Sequence, residues 1–156
     1  IHGYSLYICD TINCAIFQLY NTYNFTPNLE MMVYGYYELM ISKYCPIQKK
    51  YNVEKKNCNL CMKERHYLVD RMGFKFPIIK GEGCYTKILN CKKTYLLHNL
   101  IELKKMGISS FLLDFSIETG EETKEIIRLF KEGLNKEMPK TQVNDVTFGH
   151  YNEGVL

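Results

Sequence analysis

The sequence predicts an α/β fold carrying a cysteine-rich insert, and three observations support that prediction. The last third reads as helix, apolar strand, helix, at the lengths of an α/β unit. The opening third offers short apolar strands around one helical stretch. Between them, residues 45–91 form a cysteine-rich insert, polar and lysine-rich from Cys45 to Cys61, that holds five of the seven cysteines.

Taken in order, "GYSLYIC" alternates Tyr4, Leu6 and Ile8 on one face and predicts a strand that turns at Asp10. "TINCAIFQLYNTY" has helical spacing through Ile12, Ile16, Leu19 and Tyr20. Pro27 ends that stretch, because proline restricts its predecessor and donates no backbone hydrogen bond. "MMVYG" predicts a buried strand closed by Gly35, and "YYELMISKY" fits helix and strand equally. From Cys45 to Cys61 no period is visible, which predicts a loop. "RHYLVDRMGFKFPII" predicts a β-hairpin, with Gly73 supplying positive φ at the turn, and "TKILN" predicts a further strand.

"TYLLHNLIELKKMG" sets Leu96, Leu100, Leu103 and Met106 on one helical stripe stopped by Gly107. "ISSFLLDFS" is a continuous apolar run of the kind buried on both faces in parallel sheets. "TGEETKEIIRLFKEGLNK" opens with a capping-box pattern, Thr119 to Glu122, and carries acids in its first turn.

Composition bounds the function only loosely. At 156 residues, 46% hydrophobic and 24% charged, the chain is long enough to bury a core without staples. No apolar run approaches the roughly 18 residues that span a bilayer, so the expectation is a soluble, cytoplasmic protein with no membrane partner. The net charge is +3, with seventeen lysines and three arginines. That total says little about partners, and with thirteen tyrosines the lysine bias matches an AT-rich genome. The Ile1 start suggests a segment of a longer protein.

The cysteines are Cys9, Cys14, Cys45, Cys58, Cys61, Cys84 and Cys91. An odd count and no basic–apolar leader argue against a secreted disulfide framework. Cys45, Cys58, Cys61 and Cys84 are separated by twelve, two and twenty-two residues. The "CNLC" pair lets two thiolates reach one metal from a tight knuckle. A hairpin after Cys61 returns the chain and brings Cys84 near that knuckle. Four thiolates suit zinc or an iron–sulfur cluster and exclude magnesium and calcium. The competing reading is a Cys58–Cys61 redox pair beside two core cysteines. Cys91 is a weaker fifth candidate, and Cys9 and Cys14 read as small core hydrophobes.

Asp114 ends the run "FLLDF", where a carboxylate at the C-terminal tip of a barrel strand meets ligand, or simply serves as an N-terminal helix cap or a turn acceptor. His150, in "TFGHYNEGV", reads as a base or ligand, or as a solvated loop histidine. Asp70 and Arg71 read as a turn pair, His66 and His98 as structural or solvated, and Met31, Met32 and Met40 as core. No phosphate loop, Gly-x-Ser-x-Gly elbow or His-Glu-x-x-His occurs.

"VYGYYELMISKYCPI", "CNLC", "YLVDRMGFKFPI", "CYTKILN", "LIELKKMGISSFLLDF" and "TFGHYNEGV" occur in that order. Together they resemble the C-terminal half of the catalytic region in the collagenase-like peptidases, family thirty-two of the peptidases of unknown type, over residues 3 to 155. The resemblance implies a partial TIM-barrel-like segment with a cysteine-rich loop and β-hairpin insert, completed by the remainder of the parent barrel. It implies a four-iron, four-sulfur cluster (4Fe–4S) on Cys45, Cys58, Cys61 and Cys84. It implies a parent that hydroxylates RNA or a small aromatic substrate, with Asp114 and His150 orienting that substrate. The family label implies instead a peptidase acting on collagen-like peptides, and a non-enzymatic zinc module is the third expectation. A Gly-Ser/Ala-x-Cys signature associated with the family is absent after Gly35, which suggests a different branch.

Overall fold

The computed structural model describes residues 28–54, 58–136, 138 and 146–147. The expected first strand and helix, Cys9, Cys14 and His150 lie outside these residues. The chain divides into two compact units, residues 1–35 with 94–156, and residues 36–93.

The first unit contains a mixed sheet. Strand β1 (Leu29–Gly35) pairs in parallel with β7 (Ile108–Leu113) and antiparallel with β6 (Lys93–Tyr95), in the order β7-β1-β6-β8, where β8 is Val146–Thr147. After β6, a 3-10 turn at Leu97–Asn99 leads into helix α3 (Leu100–Lys105). Leu96, Leu100 and Leu103 are fully buried, and with Val33, Tyr34, Tyr95 and Phe130 they form the core. Burying each leucine stabilises the fold by roughly 2 kcal/mol. The leucine stripe therefore packs as its spacing predicts. Its helix begins later than expected, because Thr94 and Tyr95 pair with Gly35 and Tyr34 as strand residues. Gly107 ends the helix at φ +100°, a conformation that favours glycine.

Strand β7 departs from expectation in one respect. Its parallel pairing with β1 is present, but Ser109, Ser110 and Leu112 are exposed, and among the described residues it stands at the sheet edge. Burial on both faces is thus not realised there. Helix α4 (Gly120–Gly133) carries the predicted capping box: Thr119 Oγ1 accepts from Glu122 N–H at 3.3 Å, and Glu122 Oε2 accepts from Thr119 N–H at 2.7 Å. Its Phe130 meets Tyr34 and Tyr95 edge-on, with ring centroids 5.9 and 5.8 Å apart.

The second unit is an antiparallel sheet in the order β2-β5-β4-β3, from β2 (Glu38–Ser42), β3 (His66–Val69), β4 (Lys75–Lys80) and β5 (Thr86–Leu89). The ambiguous "YYELMISKY" thus contributes a strand, and Met40 on it is half exposed, not core. The predicted hairpin is β3–β4, with His66 opposite Ile78 and Val69 opposite Lys75. Its turn is tied by Asp70 Oδ1, which accepts from Met72 N–H at 2.8 Å and Phe74 N–H at 2.9 Å. Gly73 takes φ +85°.

The stretch after Cys45 is not the irregular loop its lack of period predicts. It contains helix α1 (Pro46–Tyr51) and a single turn, α2 (Leu60–Lys63). Proline at the first helical position costs no hydrogen bond and presets φ. Lys49 and Lys50 fall in the last turn, where cations favour the helix dipole. Asn52 ends α1 in the left-handed region and donates its N–H to Gln48 O. A six-residue helix is too short to show a hydrophobic period. The α/β class is what the chain forms, and among the described residues neither sheet closes into a barrel.

Candidate metal centre

Four segments of the second unit converge on one recess. Cys45 is the residue preceding α1, and its carbonyl accepts from Lys49 N–H at 3.2 Å. Buried Ile47 anchors that helix. Cys58 lies two residues before α2, and Cys61 lies within it. His66 Nε2 donates to Leu60 O at 3.3 Å, which ties the knuckle to β3. Cys84 closes the 3-10 turn Glu82–Cys84 that links β4 to β5.

That last turn has unusual backbone. Gly83 and Cys84 both have positive φ, +59° and +64°, and a non-glycine residue held there points to a constraint imposed by its surroundings. Gly81 N–H donates to Tyr85 O at 2.7 Å across its base, and Lys80 stands opposite Thr86 in the ladder. The antiparallel register therefore fixes where Cys84 leaves the sheet.

Cys45, Cys58, Cys61 and Cys84 all line this recess, together with Ile47, Ile78 and Lys80 among others. The cavity volume is about 20 Å³, room for one water-sized body. All four thiols are free and partly buried. Burial pushes the Cys61 thiol above its ordinary value. The neighbouring Cys58 and Cys84 push it further, while its own backbone hydrogen bond and Lys80 act the other way. Among the described residues, no three His, Cys, Asp or Glu side chains stand at metal-ligand spacing. The thiols share a recess without forming a coordination shell. As donors they fit a soft metal.

The remaining candidates lie elsewhere. Cys91 is free and does not line the recess. Asp114, in the first unit, follows β7. Its N–H donates to Tyr34 O at 2.8 Å, and Oδ1 accepts from Ser116 Oγ at 2.9 Å. The Ser116 hydrogen bond is compatible with a turn acceptor. Gly35 lies against it so closely that a Cβ there would fall 2.6 Å from Asp114 O. Among the described residues, neither buried ring nitrogen of His98, which lies near Tyr95, has a hydrogen-bond partner, and nor does the buried Thr94 hydroxyl.

Two features of these sites carry no motif. Tyr34 donates to Glu118 Oε1 at 3.1 Å across eighty-four positions. Among the described residues, Lys80 is the one charged side chain lining the recess, and only its place just before "GEGC" hints at that.

Fold and site together define an α/β protein with a four-thiol recess at one end of an antiparallel sheet. The sequence profile of Peptidase family U32 matches residues 16–153, and the chain belongs to that family. No curated protein and no solved structure matches it. Among the described residues, no helix is long and apolar enough to cross a membrane.

Proposed function

We propose that the recess is a four-thiolate site in which Cys45, Cys58, Cys61 and Cys84 hold an iron–sulfur cluster (4Fe–4S) or zinc. We further propose that a parent protein with a TIM-barrel-like fold uses it in hydroxylating RNA or a small aromatic substrate. The observation that supports the site is the meeting of four cysteines, thirty-nine positions apart at their extremes, on one recess. A bound cluster supplies one-electron transfer, whereas zinc held by four thiolates supplies a cross-link. Asp114 and His150 are the proposed substrate-orienting groups. The parallel β1–β7 pair, with Asp114 at its C-terminal end, supports the barrel reading.

The charge distribution favours RNA as the partner. Residues 36–93 hold eleven lysines and two arginines against five acids, a net of +8. The remaining residues therefore carry −5. The total of +3 conceals this segregation. Tyr37, Tyr44, Tyr51, Tyr67, Phe74 and Tyr85 of the same unit are exposed. Exposed rings among lysines suit a single strand, because bases stack on aromatics while phosphates meet cations.

Zinc is the second reading, since four thiolates by themselves complete a tetrahedral zinc shell. A peptidase reading fits less well, because a metal closed by four thiolates has no open position for water. Purification without air followed by iron, sulfide and zinc analysis tests the site. Brown protein with iron and sulfide supports the cluster, and colourless protein with one zinc per chain supports the second reading. Protein that binds neither under reducing conditions refutes both.

A further inference from the structure

Among the described residues, one charged side chain lines the four-thiol recess, and it is a cation. Lys80 ends β4, and its backbone is fixed opposite Thr86 with the Gly81–Tyr85 hydrogen bond immediately beyond. Among the described residues it has no ion-pair partner. Every other described residue lining the recess is a cysteine or carries an uncharged side chain. Two other lysines have engagements of their own: Lys87 pairs with Glu38 at 2.6 Å, and Lys43 lies over the Tyr85 ring.

Electrostatics gives this placement a consequence. Four thiols that bind one divalent ion release four protons and leave a site of net charge −2. A dianion in a half-buried recess is unfavourable unless a cation stands near it, and one lysine halves the local excess. We propose that Lys80 is the built-in counter-charge of this site and thereby sets its affinity for metal. It acts as a positioning and tuning residue, not a ligand. The inference rests on the four-thiolate reading above.

The test uses the full chain, metal-free and reduced, titrated with Co²⁺ without air. The visible bands report four-thiolate coordination, and Zn²⁺ competition reports affinity. Replacing Lys80 by Gln or Met is expected to weaken Zn²⁺ binding about tenfold, without changing the Co²⁺ band positions. Lys80→Arg restores binding to within about threefold. The deficit shrinks in high salt, because exposed charge is screened. A neutral variant that binds as tightly as the native chain overturns the counter-charge while leaving the site intact. Arg failing to rescue also overturns it, because the side chain would then act through packing. If the native chain shows no four-thiolate Co²⁺ spectrum, the site reading itself fails and this inference fails with it.

Discussion

Replacing Gly35 by alanine perturbs two things that the structure separates. Gly35 closes β1 at φ +126°, and a Cβ there would lie 2.6 Å from Asp114 O and 2.8 Å from Asp114 Cβ. Backbone strain at such φ costs about 1–3 kcal/mol for a residue with a side chain. The overlap is with backbone, so no rotamer change relieves it. The chain after β7 must retreat, and the Asp114 N–H to Tyr34 O bond then lengthens from 2.8 Å. Losing that bond and the adjoining packing adds about 1–2 kcal/mol. Gly107 provides the control, with φ +100° and no atom within 4 Å of its would-be Cβ. Gly107→Ala therefore suffers strain alone. With no tryptophan in the chain, far-UV circular dichroism in urea is the suitable assay. At a slope of about 2 kcal/mol/M, the midpoint of Gly35→Ala should fall roughly 0.5–1 M below that of Gly107→Ala. Equal midpoints would refute the claim that contact with Asp114 constrains this position.

Two further expectations concern the first unit's long helix and the recess. Thr119→Ala removes one half of the capping box on α4 and should cost about 1 kcal/mol, read as a lower urea midpoint; an unchanged midpoint would show that Glu122 alone suffices. Because burial, Cys58 and Cys84 hold the Cys61 thiol above its ordinary value, the metal-free protein should alkylate at Cys61 more slowly than a free thiol at pH 8. The folded state also holds that proton more tightly than the unfolded chain. Its contribution to stability is therefore present below the ordinary thiol range and is lost as pH rises through the folded value. Peptide mapping after iodoacetamide treatment across pH 7–10 checks the first claim, and urea midpoints over the same range check the second.

Much of this architecture can be read from residue order, because the responsible forces are local. Thr119 and Glu122 interact over three residues, and Leu96, Leu100 and Leu103 share a face by helical geometry alone. Asp70 and Gly73 close their turn within five residues. The elements that escape such reading depend on distant partners. Thr94 and Tyr95 leave the helical stripe because β1 offers them a strand to pair with. Met40 looks like a core residue until its strand is seen at a sheet edge. Helix α1 is short enough to hide its period, and its local marks are Pro46 at the start and Lys49, Lys50 and Asn52 at the end. At the recess, the "CNLC" knuckle is visible in one glance. Lys80 is not, because its significance comes from ladder register rather than from spacing among cysteines.

The hairpin between Cys61 and Cys84 separates sequence distance from spatial distance. The twenty-two intervening residues travel out along β3, turn at Asp70–Phe74 and return along β4, so only the base of the excursion touches the recess. Residues added or removed in matched pairs at the tip would lengthen or shorten the hairpin and leave all four thiols where they are. The outer part of the hairpin, around the Asp70–Phe74 turn, is thus mechanically idle, whereas its base is not: His66 holds Leu60 O, and Ile78 and Lys80 line the recess. A search for related sites should fix the knuckle, the hairpin base and the "GEGC" turn and let the length of the tip vary. For the same reason, the tip is the natural place to graft a label or an affinity tag without disturbing the thiols.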